Sequence, residues 1–238
     1  RGVAFEFRFR SRRNRHLWDL GFALGSVVAA LAQGITLGAL VQGIPMANRA
    51  YAGGWWDWLT PFSLLTGVAL VVGYALLGAT WLIMKTEGDL QNRAYEWAFR
   101  AGLGTLVGIG LVSLATPFLQ PIYMERWFSW PAVLYTVQVP LLVILVAYTL
   151  FRSLEQRREY APFASAIGLF FLSYIGLGIS FYPYVVPPQL TIWDAAAPDG
   201  SLAFVLLGAA VLLPLIVVYT AYSYWVFRGK VDVEGGYH

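Results

Sequence analysis

Apolar and polar residues separate into long blocks along this chain instead of alternating. Six apolar runs, at roughly residues 20–41, 59–84, 97–119, 131–151, 161–182 and 201–227, each approach the ~20 residues a helix needs to cross a bilayer. Continuous runs exclude sheets as the spanning elements, because an open sheet leaves unpaired backbone polar groups in lipid. The pattern predicts an all-α, polytopic membrane protein with six transmembrane helices in a single membrane domain, residues 1–238. Thr60-Pro61 reads as an N-cap followed by the first helical residue. Pro131 and Pro162 fall in first turns, and Pro140 and Pro214 lie inside spans, where they are expected to introduce kinks.

Two stretches depart from the block pattern. The opening RGVAFEFRFR alternates apolar and charged residues. It suits either a strand or the end of a span whose arginines reach the headgroups. Residues 181–200, FYPYVVPPQLTIWDAAAPDG, hold four prolines and no Lys or Arg. A structured loop between two spans is expected here, or a surface that docks a partner, with Trp193 and Asp194 as the residues concerned. Asp199 or Ser201 is placed to cap the helix that follows.

Charge placement adds an orientation. Counted segment by segment, Lys and Arg number six before the first span, then one, three, one, three, none and two. Alternate segments thus hold 14 and 2 of the 16 basic residues. The positive-inside rule then places both ends of this multi-pass chain in the cytoplasm. Residues 181–200 and the Trp-rich YAGGWWDW at 51–58, which reads as an aromatic belt, face outward. The basic N-terminal segment reads as a topology and headgroup cluster, not as a nucleic-acid site.

Composition narrows the chemistry. Only 12% of residues are charged, against 58% hydrophobic, and mean hydropathy is +0.62. The absence of cysteine excludes disulfides, iron–sulfur clusters and thiolate metal sites. The span interiors lack Asp, Glu, Lys and His, which argues against an autonomous ion-coupled transporter. Haem needs axial His, Met or Cys, yet His16, His238, Met46, Met84 and Met124 all fall at or beyond span ends. No catalytic residue, metal or haem is expected on this chain itself. The pairs Gly21/Gly25, Gly34/Gly38 and Gly104/Gly108 have the small-xxx-small spacing that lets helices approach closely.

Several motifs together point further. RGVAFEFR at 1–8, HLWD at 16–19, TPFSLLTGVALVVGYALLGATWLIMKTEGDLQ at 60–91, SFYPYVVPPQLTIWDAAAP at 180–198 and YTAYSYWVFRGKV at 219–231 resemble subunit II of cytochrome bd-type quinol oxidases. KTEGDL and the VFRGKV…GYH ending are most similar to the cyanide-insensitive branch. The resemblance covers essentially the whole chain. It implies a nine-helix subunit of which these residues form the C-terminal two-thirds, about three helices and a W-D-G-N-type motif lying upstream.

The resemblance further implies a heterodimer with a homologous subunit I that carries haems b and d and the main quinol site. That complex oxidises quinol and reduces dioxygen to water. Expected companions are membrane lipid, a small accessory subunit, and a structural quinone or lipid. Subunit II would scaffold subunit I and help admit cytoplasmic protons. Glu6 matches an acidic position of the R-G-V-x-F-[ED]-[FY]-R motif associated with a proton route, with a salt bridge to Arg1, Arg8 or Arg10 as the competing role. Asp89 matches a second acidic position, where a solvated carboxylate at a helix start is the plainer reading. A polytopic small-solute transporter and a purely structural assembly subunit are the alternatives.

Overall fold

The computed structural model describes residues 2–10, 15–47 and 50–230. Ten helices carry it: α1 (Gly2–Arg10), α2 (Arg15–Gln42), α3 (Pro61–Lys85), α4 (Gly88–Ala115), α5 (Pro121–Phe128), α6 (Val133–Thr136), α7 (Gln138–Glu155), α8 (Ala161–Phe181), α9 (Ile192–Ala195) and α10 (Asp199–Val226). Two small antiparallel hairpins, β1 (Met46–Ala47) with β2 (Ala50–Tyr51) and β3 (Tyr184–Val186) with β4 (Leu190–Thr191), complete it. Six helical segments are long and apolar enough to cross a membrane. The successive spans run up and down, so one end of the bundle collects Arg15, Lys85, Gly88, Glu155, Ala161 and Val226. This basic end lies opposite a proline-rich end that collects Gln42, Pro61, Gln138, Phe181 and Asp199.

The core lies among α3, α4, α7 and α8, where Leu76, Ile83, Ala94, Ala98, Leu150 and Leu169 are buried together. α2 packs on α3 because small residues line the seam. A Cβ added at Gly34 would come 2.6 Å from the Gly67 Cα, and one at Gly38 would come 2.6 Å from the Ser63 Cα. Thr66 crosses the same seam, its hydroxyl donating to the Gly34 carbonyl at 2.8 Å. α3 opens with a capping box in which Thr60 and Ser63 serve each other's backbone, and Pro61 follows at the first helical position.

Several sequence expectations need correction. RGVAFEFRFR contributes a helix, α1, and not a strand. α4 begins at Gly88, well ahead of residue 97, so Arg93 and Arg100 lie on the helix. Hydropathy marks only the part of a helix that lipid surrounds, and polar turns extend beyond it. Pro131 precedes α6, and the fourth span runs from Val133 to Glu155, with Val137 keeping helical angles (φ −65°, ψ −23°) between α6 and α7. Pro140 lies inside that span, in the first turn of α7, and the carbonyl its missing N–H would have served is that of Thr136. α10 runs unbroken through Pro214. Pro198 takes its N-cap position with no side-chain cap, so neither Asp199 nor Ser201 caps it.

Candidate functional site

At the basic end, α1 folds back on α2. Ala4 is buried, and Phe7 stacks on Trp18 at 5.4 Å between ring centroids. Arg8 Nε pairs with Asp19 Oδ1 across the elbow. Glu6 is exposed and, among the described residues, has no ion-pair partner. Of its three expected arginine partners, Arg8 is thus committed to Asp19. Arg1 and the side chain of Arg10 lie outside the described residues. Asp89 is exposed in the first turn of α4, where a carboxylate suits the helix dipole. No contact joins it to Glu6.

A second polar cluster at this end ties the last helix to the bundle. Lys230 Nζ reaches Glu159 Oε1 at 2.6 Å and Glu87 Oε1 at 3.2 Å. Gln91 Nε2 donates to Glu159 Oε1 at 3.2 Å and to the Ile83 carbonyl at 2.9 Å. Lys85 Nζ donates to the Phe227 and Gly229 carbonyls at 2.7 and 3.1 Å, serving groups that α10 leaves open at its C-terminus. The hydrogen bond from Lys230, then that from Gln91, holds the Glu159 carboxyl below its ordinary value. The bond to Glu159 in turn raises Lys230. Above the cluster, Trp81 meets Tyr224 edge-on at 5.9 Å. No residue of α10 is buried. An apolar helix needs no protein cover in lipid, and this clasp ties its C-terminal end to the bundle.

At the proline-rich end, α5 and its N-cap Gln120 lie between spans and serve carbonyls that the ends of two of them leave open. Gln120 Nε2 donates to the Gln42 carbonyl and the Tyr123 hydroxyl to the Val41 carbonyl, both at 2.8 Å. Arg126 Nη1 donates to the Ser180 carbonyl at 2.8 Å, and Trp127 Nε1 to the Ser180 hydroxyl at 3.0 Å. A cation at the C-terminus of α8 also complements its dipole. Trp193 meets Tyr182 edge-on at 6.3 Å, and Asp194 forms a capping box with Thr191. These two docking candidates are therefore placed within a structured loop.

Near mid-bilayer, the Tyr74 hydroxyl donates to Gln33 Oε1 at 3.0 Å, and the Tyr74 ring stacks on Phe170 at 5.8 Å. Gly34 and Gly38 of the glycine candidates are buried in the α2–α3 seam. Gly25 is half-buried, and Gly21 has nothing within 4 Å of where a Cβ would be. The described residues do not fit a haem. His16 is exposed at the start of α2, Met84 lies in the last turn of α3, and Met46 and Met124 lie outside the spans. No group of three or more His, Asp or Glu able to hold a metal occurs among the described residues.

The arrangement is that of a known family. A family model described as cytochrome bd terminal oxidase subunit II matches residues 1–227. The chain belongs to that family. It is 30% identical over a 286-residue alignment to the cytochrome bd-I ubiquinol oxidase subunit 2 of Escherichia coli K12, covering 100% of this chain and 73% of that protein. Its identity to the cytochrome bd ubiquinol oxidase subunit 2 of Bacillus subtilis 168 is 26%, over 98% of this chain and 70% of that one. The fold matches a chain in the structure of bd oxidase from Geobacillus thermodenitrificans with a TM-score of 0.75, at 19% identity and over 96% of this chain and 70% of that chain. Cytochrome bd terminal oxidase subunits II belong to oxidoreductase complexes of the respiratory chain, and this membership sets the solute-transporter reading aside. Lys85, Glu87 and Gln91 fall within the KTEGDLQ motif and Lys230 within VFRGKV, but nothing in the sequence joins them to Glu159, and the α5 residues Tyr123 and Arg126 carry no pattern that marks them. Gln120-Pro121 before PIYMERWF was the one local sign of a helix start.

Proposed function

We propose that this chain acts as the haem-free scaffold of a quinol:O2 oxidoreductase and as the entry point for protons consumed in O2 reduction. Its partner is a homologous, haem-bearing subunit I that holds the quinol site. Both ends of the chain face the cytoplasm of a bacterial inner membrane, as the 14-to-2 charge asymmetry favours. The observation that carries the proton role is Glu6. It is the only carboxylate among the first 18 residues, it is exposed, and the nearby Arg8 is taken by Asp19. A carboxylate with no ion-pair partner among the described residues is the group to test as a relay, which must take and release a proton.

The test compares Glu6→Gln, which keeps shape but loses titration, with Glu6→Asp, which keeps titration on a shorter arm. Both complexes should assemble with a full haem complement, and quinol-oxidase turnover should fall at least tenfold further in Gln than in Asp. Wild-type turnover in Gln removes Glu6 from any required proton route. Loss of haem or of the partner in Gln makes the residue structural.

A further inference from the structure

Between α4 and α7 the basic end opens into a groove of about 480 Å³, lined by Tyr95, Glu96, Phe99, Arg100, Glu155 and Arg157. Helix length gives its depth. The span from Gly88 to Phe118 has 31 residues. Counting ~20 residues back from Phe118 puts the hydrocarbon edge near residue ~98. Glu96, Glu155 and Arg157 therefore lie at headgroup level, Arg100 lies just inside the edge, where its long side chain can reach back to the headgroups, and Phe99, edge-on to Phe151 at 5.3 Å, begins the apolar wall.

Arg157 is the unusual member. Its φ is 52°, the left-handed conformation that glycine adopts most easily after a helix. It follows α7 there, its N–H donating to the Leu154 carbonyl at 3.1 Å while that of Arg158 donates to Ser153 at 2.9 Å. An unfavourable backbone in a non-glycine residue invites a role for the side chain. That side chain is fixed at the groove, with Nη1 donating to Asn92 Oδ1 at 2.5 Å and the guanidinium 5.3 Å over the Tyr95 ring. A guanidinium carries five N–H donors, so others remain for a ligand. Among the described residues, Arg100 is held only by a loose, exposed pair with Glu96 at 3.9 Å.

We propose that this groove binds a phospholipid with an ethanolamine headgroup. The two guanidiniums take the phosphate, Glu96 and Glu155 take the ammonium, and one acyl chain follows Phe99 into the bilayer. Two cations and two carboxylates in one groove match a dipolar headgroup. A purely anionic headgroup would face both carboxylates, and a choline headgroup has no N–H to donate to them.

The test uses the purified, delipidated oxidase complex. Phosphatidylethanolamine, phosphatidylglycerol and phosphatidylcholine with identical chains are titrated in detergent. Thermal midpoint and bound-lipid number (by native mass spectrometry) are followed. Phosphatidylethanolamine should raise the midpoint saturably and bind at least tenfold more tightly than the other two. Arg157→Gly suits the left-handed backbone, so the lipid-free midpoint should hold while the preference is lost. Arg100→Gln, at an exposed position, should weaken binding in the same way, and Glu155→Gln should shift preference towards phosphatidylglycerol. Equal effects of all three lipids, or an undiminished preference in both arginine variants, overturn the proposal. So does an equal midpoint shift from soluble phosphoethanolamine, which would make the site one for a free phosphate ester and not for a lipid.

Discussion

The hydroxyl of Tyr123 hydrogen-bonds to the carbonyl of Val41, joining a short interfacial helix to the end of a span 82 residues earlier in the chain. The ring is fully buried, and the carbonyl is one that a helix C-terminus leaves without an internal partner. Tyr123→Phe strands that buried acceptor and should cost about 1–3 kcal/mol, seen as a lower thermal midpoint of the complex. Burial pushes the phenol up to about 12, against a smaller lowering by Arg126. A raised folded value means this stabilisation is complete below the ordinary 10.0 and disappears as pH rises through about 12. Ultraviolet titration should show a late-ionising tyrosine fraction that Tyr123→Phe reduces by one residue.

The glycines of α2 should divide by position. Gly34→Ala places a Cβ 2.6 Å from the Gly67 Cα and 2.7 Å from the Thr66 carbonyl oxygen, backbone that has no room to move aside. It should lower the amount of assembled complex in the membrane several-fold. Gly21→Ala meets nothing within 4 Å and should change stability by no more than about 0.5 kcal/mol. Immunoblotting of assembled complex in membranes compares the two, and equal effects would refute the close α2–α3 seam.

The clasp on α10 should respond to acid and alkali but not between them. Glu159 lies below its ordinary 4.5, so its contribution is present above 4.5 and is lost as pH falls through the lowered value. Lys230 lies above its ordinary 10.5, so its contribution is present below 10.5 and is lost as pH rises through the raised value. Hydrogen exchange in residues 219–230, corrected for intrinsic rates, should therefore be flat between pH 5 and 9. Lys230→Ala or Glu159→Gln should speed it several-fold throughout that range.

The topology can be checked on α10 itself. Single cysteines at Ser201 and Gly229, in a chain that has none of its own, should react with an impermeant reagent from opposite faces of the membrane, Gly229 from the cytoplasmic face. Reaction of both from one face contradicts the six-span arrangement.

Much of the fold was legible because lipid imposes a simple rule. A long apolar block must be a helix, and all six such blocks became spans. The capping of α3 by Thr60 and Pro61 was equally readable, since both signals are local. Helix boundaries were not. The early start of α4 at Gly88 reflects polar turns that extend beyond the apolar block. The sites were less legible still. Gly34 and Gly21 share one motif type, yet only the packing of α3 separates a buried glycine from an open one. Glu159 and Lys230 lie 71 residues apart and look like ordinary surface charges until the fold joins them. Arg157 carries no sequence mark of its left-handed backbone.

The proposed function makes this chain the haem-free subunit of a quinol oxidase. The most direct measurement is the reduced-minus-oxidised absorption spectrum of the isolated chain beside that of the complex it forms. The account predicts no stoichiometric Soret band from the chain and a full b- and d-type spectrum, with quinol-oxidase turnover, from the complex. A stoichiometric b-type Soret band from the chain alone would contradict it.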